Sequence, residues 1–283
     1  MRVLLALVHY FKGEDNSPYS STKLEYRERR AEAVRGVIDS WRGHLGPATL
    51  KNHQLHRLEV QRGMGDTLDI VAIVNGDNHL LDRDYCLSRQ VETMSVKLEN
   101  PRMLGFAAQK LFSDTRYAYD MYVFSEDDLR PVDGNLLPRV MGFQEEFGWR
   151  RLLLPNRYEW NTNGHTLKTF IDGDVYPEWL SKYEEALPDE QFLHQRLPGR
   201  TVTYRRAANP HAGFFAITAE QLAHWVRQPH YGDQDCSFES PLASAATLGM
   251  LKTFPIYKSF GRDMGWFEIQ HLDTIFSDKS IKR

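Results

Sequence analysis

The stretch of this chain best equipped for chemistry is Tyr122-Val123-Phe124-Ser125-Glu126-Asp127-Asp128-Leu129-Arg130-Pro131, in which three acids stand directly behind an apolar run. Residues Tyr119 to Phe124 have the short, apolar texture of a buried strand. The acids therefore fall at a strand's carboxyl end, where ligands bind in open α/β sheets. Three adjacent carboxylates repel one another in a low-dielectric cleft, and a divalent cation is the usual means of keeping such a group ionised. Oxygen donors suit magnesium or manganese, which complete their shells from diphosphate and water. An acidic surface turn is the competing reading; the strand in front and the proline behind weigh against it.

Placing those acids requires a sheet. The run Val3 to Val8 is too short for a helix and ends in polar residues, as a central parallel strand does. From Lys23 to His44, Ala33, Val37, Ile38 and Trp41 recur at helical spacing on a charged background, and Gly43, Gly46 and Pro47 close that helix. Leu68 to Val74 reads as a second buried strand, stopped by the turn tripeptide Asn75-Gly76-Asp77. Met103, Leu104, Ala107, Ala108 and Leu111 predict a helix over Pro101 to Phe112, ahead of the acidic strand. Strand, helix, strand, helix, strand implies a wound α/β sheet with a mostly parallel centre. After Arg151 short strands (Arg151 to Leu154, Phe214 to Thr218) alternate with Gly, Asn and Pro turns, so the second half is mixed and less regular. One compact domain with two lobes is expected, divided at about 1–131 and 132–283.

Composition limits the partners. With 35 Lys+Arg against 38 Asp+Glu and a formal charge of −3, no basic surface for gripping nucleic-acid backbone is expected. No run of about 18 uncharged apolar residues predicts a membrane span, although peripheral contact with a membrane stays open. The apolar opening Met1 to Val8 lacks a cleavage site and reads as a strand rather than a signal peptide. Cys86 and Cys236 match no metal-ligand spacing and fit a reducing, cytoplasmic setting.

Strand, Glu-Asp-Asp, Leu, then Pro and a helix start resembles the metal-binding DxD element of GT-A glycosyltransferases, in the Glu-Asp-Asp form of N-acetylglucosaminyltransferase I. The resemblance covers the topology of about the first half and this one motif. It implies a GT-A-like α/β/α sandwich, a nucleoside diphosphate sugar as donor and a glycan or other hydroxyl-bearing acceptor. It further implies Mn2+ or Mg2+ held directly by Asp128, with Glu126 and Asp127 supporting, and a late His as a further ligand, for which His271 is the candidate. Departure of a nucleoside diphosphate builds negative charge that a bound cation offsets.

An inverting transferase also needs a base for the acceptor hydroxyl. The segment Asp233-Gln234-Asp235-Cys236-Ser237-Phe238-Glu239-Ser240-Pro241 offers two, Glu239 and Asp235. Ser240 can cap a helix whose first residue is Pro241, which sets Glu239 at its mouth. Asn209-Pro210-His211-Ala212-Gly213 leads into an apolar strand, and Gly213 would let backbone approach a ligand closely. Donor contacts are expected from His9 and Tyr10 after the first strand and from Asn75 and Asp77 after the second, since these loops share the sheet edge with the acids. Arg102 could meet the diphosphate. The loop Tyr158 to Gly164 mixes aromatics and amides as sugar sites do, and Gly261 to His271 is expected to close over the donor. A metal-dependent phosphohydrolase or nucleotidyltransferase, and a non-catalytic sugar-binding protein, are the other readings. The first generally needs more His ligands, and the second leaves the acids at the strand end unexplained.

Overall fold

The computed structural model describes residues 1–14, 22–45, 66–160, 167–272 and 276, and the backbone alone of 49–52, 58–61 and 161. The first half contains β1 (Arg2–Val8), α1 (Arg27–Leu45), β2 (Thr49–Asn52), β3 (Leu58–Gln61), β4 (Thr67–Asn75), α2 (Arg83–Arg89) and β5 (Val91–Val96). It continues with α3 (Phe106–Asp114), β6 (Met121–Glu126) and β7 (Leu129–Arg130). The second half contains α4 (Leu136–Phe147), β8 (Leu152–Leu153), β9 (Asn156–Asn161), β10 (Leu167–Phe170), α5 (Pro177–Ala186), β11 (Phe192–Leu197) and β12 (Arg200–Arg206). It ends with β13 (Phe214–Thr218), α6 (Ala219–Trp225), α7 (Pro241–Leu251), β14 (Ile256–Ser259) and β15 (Glu268–His271).

The central sheet has the order β13-β6-β1-β4-β5, with β6, β1, β4 and β5 parallel and β13 antiparallel. It is a mixed α/β fold with a largely parallel centre. The burial of β1, β4 and β6 on both faces explains why they read as continuous apolar runs rather than alternating ones. From β1 the chain passes outward to β4 and β5 on one side, then later to β6 and β13 on the other. The strand order thus reverses between β1 and β6, which opens a crevice beyond their carboxyl ends. In register, Val8 lies opposite Glu126 there.

Among the described residues three smaller sheets complete the fold, β10-β9-β15-β7, β11-β12-β14-β8 and the antiparallel pair β2-β3. The halves interlock: β13, from the second, closes the edge of the central sheet, and β7, from the first, pairs with β15. One buried apolar cluster runs through both, with Trp41 of α1 stacked on Phe214 and Phe124 stacked on Phe215.

Several boundaries differ from the sequence reading. The first helix begins at Arg27, behind a 3-10 turn over Leu24–Tyr26, and Gly43 sits inside it; Gly46 and Pro47 lie outside the described residues. Pro101–Met103 is a 3-10 turn with proline in its first position, and α3 starts only at Phe106. The helix expected directly after Pro131 starts at Leu136, because Leu129 and Arg130 first form a strand with β15. The segment expected to close over a donor is a 3-10 turn, Gly261–Trp266, followed by β15. Phe267 and Ile269 are fully buried there, so the segment is core packing rather than a lid. Among the described residues no helix is long and apolar enough to cross a membrane.

Candidate active site

The strand β6 runs one residue further than its apolar stretch, so Glu126 ends it and Asp127 and Asp128 form the turn into β7. Backbone bonds on both sides fix that turn. Glu126 N–H donates to the Gly213 carbonyl at 3.0 Å, and Leu272 N–H donates to the Asp128 carbonyl at 2.8 Å. Pairing of His271 with Leu129 then sets the His271 ring beside Asp128, its Nε2 3.6 Å from Asp128 Oδ2.

Gly213 has a positive φ of 58°, and a Cβ there would lie 2.6 Å from Glu126 Oε2. Only glycine tolerates both the left-handed backbone and that close approach. The sequence expects Gly213 to let backbone approach a ligand closely; the close approach that the structure shows is to the Glu126 carboxyl.

The three acids have different partners. Asp127 is enclosed: Arg30 of α1 donates to its Oδ1, and His9 Nδ1 lies 2.5 Å from its Oδ2. His9 Nε2 accepts from Leu80 N–H at 2.9 Å, so the ring carries its proton on Nδ1 and donates it to Asp127. Burial alone would raise the Asp127 carboxyl, but Arg30 and His9 hold it below the usual carboxylate range. Arg30 spans two acids, since its second amino group donates to Asp128 Oδ2 at 2.8 Å. Burial works against the guanidinium charge, and Asp127 and Asp128 more than restore it. Glu126 is pushed up towards neutrality, first by burial and then by Asp128, against Arg157 and His271.

Asp128 keeps one oxygen uncommitted. Among the described residues its Oδ1 is buried and has no hydrogen-bond partner, a costly state for a carboxylate unless a cation or donor completes it. His271 Nδ1 lies 2.8 Å from Glu159 Oε1 and donates to it, which leaves Nε2 facing Asp128. A carboxylate behind an imidazole is the usual outer support of a metal-binding histidine. Burial lowers the His271 pKa, but Asp128 and Glu159 outweigh it and the net shift is upward. Among the described residues no three His, Cys, Asp or Glu side chains form a ready metal cage. The donor set would therefore fit an ion that takes two protein ligands, an oxygen of Asp128 and a nitrogen of His271, and the rest from phosphate and water.

Two cavities meet at these acids. One, of about 710 Å³, is lined by Tyr10, Lys12, Arg30, Arg102, Asp127 and Asp128 among others. The second, of about 680 Å³, is lined by Arg157, Asp174, Trp179, His211, Glu239 and His271 among others. Glu126, Ser240 and Leu242 belong to both, so the entrance of α7 stands between them. Ser240 caps that helix, accepting from Ala243 N–H at 3.2 Å, with Pro241 first in it. Glu239 precedes the cap with a φ of 43°, an uncommon conformation for a residue with a side chain.

The other sequence candidates are placed elsewhere. Asp235, with Asp233, is bound by Lys252 at the carboxyl end of α7, at 2.8 Å and 2.6 Å, and lines neither cavity. Its carboxyl is held down to about 2, chiefly by Lys252. The Asn75 amide is spent on the backbone of Leu98, donating at 3.0 Å and accepting at 2.9 Å, and neither Asn75 nor Asp77 lines a cavity at the acids. His9 is fully buried and reaches the site only through Asp127. In the loop expected to bind sugars, Tyr158 is buried and Trp160 half exposed, while 162–164 lie outside the described residues.

Sequence reasoning missed Arg30, Glu159 and the buried trio in which Asp172 bridges Arg157 and Lys258, at 2.8 Å to each. Arg30 offered one signal: it falls on the apolar stripe of its helix, three residues before Ala33 and seven before Val37.

No protein-family model matches the sequence, and no curated protein does. Among solved structures the chain is similar to glucosyl-3-phosphoglycerate synthase from Mycobacterium tuberculosis in complex with phosphoglyceric acid. Identity is 13%, the TM-score 0.40, and the match covers 78% of this chain and 58% of that one. The same enzyme in complex with Mn2+ and uridine-diphosphate-glucose matches at 12% identity and a TM-score of 0.40, over 78% of this chain and 57% of that one. A structure described as a mycobacterial protein matches at 12% identity and a TM-score of 0.42, over 91% of this chain and 64% of that one. The chain spans less than two thirds of the length of each. Likenesses this distant carry no argument about activity, and the α/β class rests on the strand pairing.

Proposed function

We propose that this protein is a metal-dependent glycosyltransferase of GT-A type that moves a sugar from a nucleoside diphosphate donor to a hydroxyl acceptor with inversion. The observation that carries the reading is the placement of Glu126, Asp127 and Asp128 at the order-reversal crevice, with one buried oxygen of Asp128 unpartnered and the other 3.6 Å from His271 Nε2. Asp128 and His271 would hold Mn2+ or Mg2+. The bound cation would offset the negative charge that gathers on the departing diphosphate.

The chain's own groups divide along the two cavities. Tyr10, Arg102 and Lys12 line the donor side and would meet a nucleotide and its phosphates, Lys12 after leaving Glu14, while Arg30 on the same wall is spent on Asp127 and Asp128. Arg30 and His9 keep Asp127 ionised and immobile, so that Asp127 fixes the turn rather than binding metal. On the other side Glu239, which lines the second cavity, would take the acceptor proton, and Asp235 is the second choice because Lys252 already holds its charge. The donor half is then 1–131 and the acceptor half 132–283, with the acids at their seam.

The test is thermal stabilisation of the full chain by a panel of nucleotide sugars, each with and without Mn2+ or Mg2+. A matching donor at about 100 times its Kd should stabilise by about 2.7 kcal/mol, and only with metal. Asp128→Asn should abolish that stabilisation. Glu239→Gln should keep it and lose transfer by about 10²- to 10⁴-fold. Metal-independent binding, or full activity in Asp128→Asn, would overturn the reading; a dead Asp235→Asn beside an active Glu239→Gln would move the base.

A further inference from the structure

The second cavity holds features that removing a proton does not require. Tyr176 and Trp179, at the start of α5, present large aromatic faces at its wall and are 76% and 47% exposed. Single exposed aromatics are ordinary, but these two share a turn and a cavity. The Trp179 ring is held rather than loose: it packs edge-on against Phe238 at 6.1 Å, and Phe238 is buried against His211. Phe238 is the residue before Glu239, so the packing that orients the Trp179 face also anchors the strained backbone that carries the carboxylate.

The charge on the wall narrows the ligand further. Among the described residues that line the cavity, Arg157 is the one guanidinium or ammonium group, and it is already bound through Nε and a terminal nitrogen to Asp172, at 2.8 Å each. Glu126, Asp174 and Glu239 face the same space, and His271, the other basic side chain on the wall apart from the buried His211, is bound to Glu159. A phosphorylated or carboxylated ligand would meet acids and a spoken-for cation. An uncharged polyol meets acceptors for its hydroxyls and a flat apolar surface for the C–H face of its ring.

We infer that this cavity binds a neutral sugar ring, stacked on Trp179 with Tyr176 at its edge and with a hydroxyl turned towards Glu239. As an acceptor assignment this rests on the transferase reading; as a binding site it stands on the cavity alone. The acceptor is then a neutral glycan, and acidic sugars are discriminated against by the wall.

The experiment is saturation-transfer NMR on the full chain with methyl glucoside, methyl galactoside and methyl mannoside and their disaccharides, against methyl glucuronide. At least one neutral glycoside should bind, and the glucuronide should bind about tenfold more weakly or not at all. Trp179→Ala should weaken binding about tenfold, the value of one aromatic contact, and Trp179→Phe should restore most of it. Tyr176→Ala, at a position too exposed to disturb the fold, should weaken it by a smaller factor. Failure of every neutral glycoside, binding indifferent to Trp179 and Tyr176, or preference for the glucuronide would each overturn the inference. Nucleotide-sugar stabilisation with Mn2+ on the same preparation separates the two claims. Its absence beside Trp179-dependent glycoside binding removes the transferase and leaves the sugar site, whereas its presence without glycoside binding removes the sugar site alone.

Discussion

Arg30→Met tests whether the acidic turn is held by its own internal counter-ion. The substitution keeps most of the aliphatic stem and deletes the guanidinium that donates to both Asp127 and Asp128. The side chains of Arg30, Asp127 and Asp128 are only 10%, 8% and 14% exposed, so water cannot replace the lost donors cheaply. Removing one partner of a buried ion pair costs about 3–5 kcal/mol, most of it the penalty of the charge left behind. His9 still donates to Asp127, which argues for the lower part of that range, and the second stranded acid, Asp128, for the upper. Against a typical total of about 5–15 kcal/mol, such a loss is plain in urea unfolding followed by circular dichroism, as a lower midpoint at unchanged slope. Asp127→Asn in the Arg30→Met background removes one stranded charge. The double variant should be more stable than the sum of the single losses by about 1–3 kcal/mol. A loss below about 1 kcal/mol, or strict additivity, would show that solvent reaches these acids and that Arg30 is a surface contact.

Two further outcomes follow from the same geometry. Gly213→Ala should cost about 1–2 kcal/mol for a side chain at φ 58° and push the Glu126 carboxyl aside; removing that carboxyl with Glu126→Ala should relieve the steric part, and a fully stable, undistorted Gly213→Ala would refute the contact. His211 is held neutral by burial first, then by Arg157 and Lys258 over Asp172. Its folded pKa lies below the unfolded value of about 6.5, so the unfolded chain binds the proton first. Stability should fall as pH drops below about 6.5, by about 1.4 kcal/mol per pH unit, and His211→Gln should lose that part of the slope; an unchanged slope would place His211 in contact with water.

What could be read in the sequence followed from how locally each feature is encoded. The strands β1, β4 and β6 are apolar runs because they are buried on both faces, and Ser240-Pro241 announces a helix start through backbone chemistry that needs no distant partner. The acids stood out because three like charges behind an apolar run conflict with burial unless something resolves the conflict. The resolution itself was not legible. Arg30 is 97 residues from Asp127 and His9 is 118 residues away, and only the parallel pairing of β1 with β6 and the packing of α1 bring them together. The same holds for Asp172 between Arg157 and Lys258, and for Glu159 behind His271.

Reading loops by composition erred in a consistent direction. Asn75 and Asp235 looked available because amides and carboxylates in turns are polar, yet each is committed to a nearby group, Asn75 to the Leu98 backbone and Asp235 to Lys252. Asp128 and Glu239 differ from them in that the fold leaves one with an unpartnered oxygen and the other with a strained backbone beside a cavity. Polar type nominates a residue; uncompensated cost, in desolvation or in backbone strain, is the better sign that the position is kept for a ligand. By that criterion the proposed site narrows to Asp128 on one cavity and Glu239 on the other, and Asp127, the middle acid, belongs to the scaffold beside them.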